Sequence, residues 1–192
     1  MNKYLKMART LILFAGFMLA VYLLYQKLVD DYMPERILGS NTEDTTDRSE
    51  NMAMDFVMTN KAGDEVRLLD FKGKPIVLNF WASWCGPCKA ELPDFQIAYK
   101  KYGEDVEFIL LNMTDGRQET VETARKFMDN HGYTMPVYFD TVNMQGANTY
   151  GVNSIPTTYF ISAEGEIIAY ASGMIDAKTL EDGISMILTQ KQ

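Results

Sequence analysis

Two residues carry nearly all the chemistry this chain could perform. Cys85 and Cys88 are the only cysteines among 192 residues, and Gly86-Pro87 alone separates them. They follow an apolar run, Ile76-Val77-Leu78-Asn79-Phe80-Trp81, and stand where a helix is predicted to begin. Free amides and the dipole at a helix start favour the thiolate of Cys85, the more exposed sulfur, and lower its pKa. Cys88, one turn further in, is then close enough to attack a mixed disulfide formed on Cys85, which is the two-step exchange of a dithiol oxidoreductase. Half a zinc site is the poorer reading, because His131 is the only histidine and further ligands are wanting. A purely structural bridge closing so short a loop would restrict the unfolded chain little.

The elements that must position this pair are those of an α/β domain. Met54–Met58 and Glu65–Leu69 alternate as short strands around the turn Asn60-Lys61-Ala62-Gly63-Asp64. The run 76–81 reads as a central strand covered on both faces, followed by a helix from near Cys85 to about Tyr102, bent by Pro93. Val106–Met113 reads as a second buried strand and Gln118–Asn130 as an amphipathic helix presenting Val121, Ala124, Phe127 and Met128. A short strand at Pro136–Asp140 and a short helix at Thr141–Tyr150 come next. Thr157–Ser162 and Glu166–Ser172 form a hairpin, and Asp176–Thr189 closes the chain as a helix with Leu180, Ile184, Ile187 and Leu188 inward. Strand–helix alternation ending in a hairpin and a helix predicts a mixed sheet with helices on both faces.

The residues around the cysteines resemble a known family. Trp84-Cys85-Gly86-Pro87-Cys88 is similar to the motif of thioredoxin-fold proteins, and Gly151-Val152-Asn153-Ser154-Ile155-Pro156-Thr157-Thr158-Tyr159-Phe160 is similar to their cis-proline loop and following strand. Asn79-Phe80-Trp81-Ala82-Ser83-Trp84, Lys89-Ala90-Glu91-Leu92-Pro93 and the extra helix and strand at 117–140 resemble the TlpA/ResA-like branch, membrane-anchored extracytoplasmic thiol-disulfide oxidoreductases. The resemblance spans roughly 52–190 and implies a thioredoxin-like fold with an N-terminal β extension and a helix–strand insertion.

It further implies that Cys85 is the attacking nucleophile and Cys88 the resolving one, with no cofactor beyond their redox-active disulfide. Ile155-Pro156 is implied to be a cis peptide beside the sulfurs, leaving residue 155 to pair with a substrate strand. Trp84, Gly86 and Pro87 would frame the same docking surface. Glu91, three residues past Cys88 and on the same helix face, is implied to manage the buried thiol's proton; the plain alternative is a solvated acid of the first helical turn. Asn79 departs from thioredoxin, which has a buried Asp there. An amide cannot shuttle protons, so that work falls to Glu91, to water, or is absent. Trp81 packs at the disulfide or in the plain core, Lys89 reads as a solvated neighbour, and His131 as structural or exposed.

Charge divides the chain. Residues 1–29 hold Lys3, Lys6, Arg9 and Lys27 with no acid, a charge of +4, which leaves −12 for the rest of a chain whose net charge is −8. The uncharged stretch between Thr10 and Gln26, from Leu11 to Tyr25, extended to Val29, makes a helix of about 28 Å, close to the hydrocarbon thickness of a bilayer. Its end, Leu24-Tyr25-Gln26-Lys27-Leu28, lacks the small residues a signal peptidase needs, so an uncleaved signal anchor is expected. The positive-inside rule places the amino terminus in the cytoplasm and the remainder outside. Three parts result: an anchor over 1–29, an acidic linker over 30–50, and a thioredoxin-like domain over 51–192.

The acidic balance argues against nucleic acid as a partner. Four classes of function remain. The first is a membrane-tethered reductase of extracytoplasmic disulfides, such as those of apocytochrome c, recharged by a membrane electron donor of the CcdA/DsbD kind. The second is a peroxidase of the redoxin type, which wants Thr three residues before the reactive cysteine, where this chain has Ala82. The others are a disulfide oxidase or isomerase and a non-catalytic binding module on the same fold. Gly86-Pro87 between the cysteines resembles reductants, whereas strongly oxidising relatives place a His there.

Overall fold

The computed structural model describes residues 9, 13–24 and 51–189. Contacts divide the chain into a unit over Met1–Arg36 and a second over Ile37–Gln192. In the first, residues 13–24 are helical, with Leu13, Phe17 and Leu24 exposed. Among the described residues no helix is long and apolar enough to cross a membrane. Most of the expected span's flanks, and the whole linker 30–50, lie outside the described residues.

The second unit is built on a seven-stranded sheet of β1 (Val57–Thr59), β2 (Glu65–Arg67), β3 (Ile76–Trp81), β4 (Glu107–Asn112), β5 (Val137–Phe139), β6 (Thr157–Ile161) and β7 (Ile167–Ser172). Their spatial order is β2-β1-β5-β4-β3-β6-β7. Strands β3, β4 and β5 run parallel, and the remaining pairings are antiparallel. Four helices join them: α1 (Gly86–Tyr102), α2 (Val121–Asn130), α3 (Gln145–Thr149) and α4 (Ala177–Thr189). This is the expected thioredoxin-like architecture, with its N-terminal hairpin and inserted α2–β5 segment.

Side chains alternate across β3, and that alternation makes two cores. Val77 and Trp81 face a layer formed by Cys88, Leu92 and Phe95 of α1, Ala124 and Met128 of α2, and Leu180, Ile184 and Ile187 of α4. Ile76, Leu78 and Phe80 face Phe56, Met58, Leu68, Ala147 and Tyr150 on the other side. Every residue of β3 is buried, which explains its unbroken apolar run. Asn79 lies in the same row as Val77 and Trp81, so its amide is directed into the α1 layer. Each fully buried Phe or Leu contributes about 2–3 kcal/mol relative to exposure.

Element ends differ from the sequence expectation where side chains capture backbone groups. The second strand stops at Arg67, because Leu68–Phe71 winds into a 3-10 turn whose amides are held by Asp70 (from Arg67 N–H, 2.8 Å) and Asp55 (from Leu69 N–H, 3.1 Å). The helix expected from Gln118 starts at Val121. Asp115 Oδ1 accepts the amides of Arg117, Gln118 and Glu119, and Thr120 caps the helix through Thr123 N–H at 3.1 Å. The short helix contracts to Gln145–Thr149, preceded by Asn143 and Met144 at φ 51° and 54°. In α4, Leu188 is only partly buried, unlike Leu180, Ile184 and Ile187.

Candidate active site

Cys85 is the N-cap of α1, and its sulfur accepts the Cys88 N–H at 3.2 Å. The two sulfurs form a disulfide of 2.01 Å. Pro87 sits in the first turn, where a missing N–H costs nothing because that donor has no intrahelical partner anyway. Cys85 is the more accessible of the pair, but at 4% exposure against 0% it is less open than the sequence suggests. Gly86 and Pro87 are exposed between them, and a Cβ built on Gly86 would touch nothing within 4 Å.

The loop before β6 meets this helix start. Ile155-Pro156 is a cis peptide, and the Ile155 carbonyl oxygen lies 3.7 Å from Cys85 Sγ. The Pro156 carbonyl in turn accepts Gly173 N–H at 2.8 Å, joining the loop to the end of β7. Trp84 is 49% exposed at the rim, whereas Trp81 is fully buried against Phe127 with ring centroids 5.7 Å apart. The structure therefore separates the two indoles: Trp81 belongs to the core and only Trp84 to the surface. Lys89 is exposed, and His131 stacks on Tyr133 at the end of α2 with a ring nitrogen 2.8 Å from the Phe127 carbonyl.

Glu91 is not a solvated helix acid; it is 1% exposed. Its Oε1 accepts from Asn79 Nδ2 at 2.9 Å and its Oε2 from Ile175 N–H at 3.0 Å. Burial pushes the carboxyl up to about 7, helped by the nearby Asp94 charge and opposed by the Ile175 and Asn79 donors. The amide at position 79 thus stabilises the ionised acid on the helix that carries both cysteines. Asn79 Nδ2 also donates to Thr158 Oγ1 at 3.0 Å, while its Oδ1 is buried without a partner.

One buried acid beside the cysteines escaped the sequence reading. Glu119, 1% exposed, accepts from Ser83 N–H (3.1 Å), Ser83 Oγ (2.7 Å) and Asn112 Nδ2 (2.8 Å). It therefore holds the residue two places before Cys85. A Glu just before a helix cap, in a segment extra to the basic fold, was the available signal. Among the described residues no group of three or more His, Cys, Asp or Glu is arranged to hold a metal.

Residues 50–170 match the AhpC/TSA family. Over 136 residues the chain is 32% identical to the thiol-disulfide oxidoreductase ResA of Bacillus subtilis, covering 70% of this chain and 73% of that one. The chain belongs to the AhpC/TSA family and, within it, to the ResA-type thiol-disulfide oxidoreductases. A second ResA, from Geobacillus kaustophilus, is 34% identical over 149 residues, 76% of this chain and 82% of that protein. Among solved structures, StoA of Bacillus subtilis superposes with a TM-score of 0.59 at 28% identity, covering 69% of this chain and 98% of StoA. The exposed lipoprotein thioredoxin Etrx1 of Streptococcus pneumoniae superposes with a TM-score of 0.60 at 30% identity, covering 69% and 98%.

Proposed function

We propose that this protein is a membrane-tethered reductant of disulfides in extracytoplasmic proteins, apocytochrome c being the client class its family resemblance implies. The observation that carries the reading is the placement of Cys85 at the N-cap of α1, with only Gly86-Pro87 before Cys88. Glycine and proline place no cation between the cysteines to over-stabilise the Cys85 thiolate, which favours a reducing pair.

In the reduced enzyme the Cys85 thiolate attacks one sulfur of the client disulfide. A mixed disulfide forms, and the client's other sulfur leaves as thiolate and takes a proton from solvent. Cys88 then gives its proton to the Glu91 carboxylate and attacks Cys85 Sγ. The second client sulfur leaves as thiolate and takes a proton from solvent, Glu91 returns its proton to solvent, and the Cys85–Cys88 disulfide remains. Two electrons pass to the client, and a membrane donor of the CcdA/DsbD kind returns them. An extended client segment would lie across Trp84, Gly86 and Pro87 and pair with the backbone of Ile155 beside Pro156. The open space over Gly86 leaves room for that approach.

Tethering is supported by the cationic start and uncharged run of residues 1–29. Replacing residues 1–29 with a cleavable signal peptide should move the protein from the membrane to the soluble extracytoplasmic fraction. The reduction potential of the Cys85–Cys88 pair tests the direction. A value near about −270 mV supports a reductant, and one near about −120 mV overturns it in favour of an oxidase. A Cys88→Ser chain should accumulate mixed disulfides on Cys85, and their mass identifies the client.

A further inference from the structure

Glu119 is a buried acid that the exchange reaction leaves unused. All three of its donors are neutral, and no salt bridge reaches it among the described residues. Nor is its placement loose. Asp115 Oδ1 takes the Glu119 N–H at 2.9 Å, Gly116 N–H donates to the Glu119 carbonyl at 2.9 Å, and Asn112 Oδ1 is held by Thr114 Oγ1 at 2.8 Å. Asn112 pairs in register with Trp81, so the carboxylate sits where β3 and β4 end side by side.

Ser83 lies inside the turn that leads from β3 to the nucleophile, closed by Cys85 N–H donating to the Ala82 carbonyl at 3.2 Å. A carboxylate gripping both the amide and the hydroxyl of Ser83 leaves that turn one orientation. The carboxylate is 3.1 Å from Ser83 N, two residues before Cys85, so the charge and the Cys85 sulfur lie within about 15 Å of each other by chain geometry. At such range, in a poorly solvated site, a full negative charge raises the energy of a thiolate, against the pull of the α1 N-terminus.

We propose that Glu119 is a positioning residue for Cys85: it fixes the Ala82–Cys85 turn and opposes thiolate formation at Cys85. The proposal rests on the reading of Cys85 as the nucleophile. It gives the inserted segment between β4 and α2 a direct part in the redox site.

The test compares full-length reduced wild type with Glu119→Gln and Glu119→Ala. Glutamine preserves the grip, since its carbonyl can accept from Ser83 N–H and Asn112 while its amide donates to Ser83 Oγ; it removes only the charge. The other titratable groups of the site, Cys88, Glu91 and Lys89, stay unchanged. Iodoacetamide alkylation is followed from acid to alkaline pH, with mass spectrometry assigning the modified sulfur. E119Q should keep the wild-type melting temperature and shift the Cys85 alkylation midpoint down by about half a pH unit or more. In insulin reduction E119Q should stay within about threefold of wild-type kcat/KM, and E119A should fall by about tenfold or more. An unmoved midpoint in E119Q, or equal activity of a folded E119A and E119Q, overturns the proposal. If E119A does not fold, the E119Q midpoint alone decides. First alkylation at Cys88 would instead refute the nucleophile reading on which it stands.

Discussion

Asn79 Nδ2 stands 2.9 Å from Glu91 Oε1 and 3.0 Å from Thr158 Oγ1, so a single amide ties the central strand to the cysteine-bearing helix and to the strand after the cis proline. In thioredoxin an acid occupies this strand position. Here the acid has moved to the helix, and the strand supplies its hydrogen-bond donor.

Because burial raises Glu91 from 4.5 to about 7, the folded state holds this proton more tightly than the unfolded chain does. The stability it contributes is fully present below the unfolded value of 4.5 and is lost as pH rises through about 7. For the oxidised protein that loss is about 3 kcal/mol by linkage. Urea denaturation of wild type and Glu91→Gln across this window should show the two stabilities diverging, with wild type falling relative to the variant as pH rises. Parallel curves would mean that Glu91 titrates like a solvated acid.

Asn79→Asp should couple two carboxyl groups within hydrogen-bond distance. One of them must then keep a proton or repel its neighbour. The variant is expected to lose about 2 kcal/mol or more at pH 8, with much of that recovered at pH 5. Thermal melts at the two pH values check it, and a pH-independent loss would count against the argument.

Asp140 is fully buried and accepts Gly146 N–H at 3.0 Å and Ala147 N–H at 2.9 Å, so it holds the first turn of α3. Asp140→Ala strands both donors in the core. A loss of about 2–4 kcal/mol is expected by chemical denaturation. Asp140→Asn, which keeps one acceptor, should lose less.

Gly183 lies inside α4, where alanine would normally stabilise a helix by about 1 kcal/mol. A Cβ there would overlap the Phe160 ring. Gly183→Ala should therefore destabilise, by about 1–3 kcal/mol, with the melting temperature as readout. A stabilised variant would mean that α4 can slide away from β6.

Much of this was legible from the chain because it rests on local pattern. The unbroken apolar run 76–81 could only be a strand covered on both sides, and the two cysteines at a strand–helix junction defined the redox pair. Pro156 became informative only alongside that pair, since a lone proline before a strand has many explanations. What stayed hidden was set by long-range geometry. Glu119 meets Ser83 across 36 positions of sequence, and Ile175 meets Glu91 across 84, spacings that no periodicity encodes. Element ends were displaced for a related reason: Asp55, Asp70 and Asp115 capture amides that would otherwise extend a strand or a helix.

The Ile175 amide, bound at 3.0 Å to a carboxylate that titrates near neutrality, is a built-in spectroscopic reporter. Its proton resonance should follow the ionisation of Glu91 without any label at the sulfurs. One backbone signal can therefore be read, in the oxidised and the reduced protein alike, as a record of where the site keeps its proton.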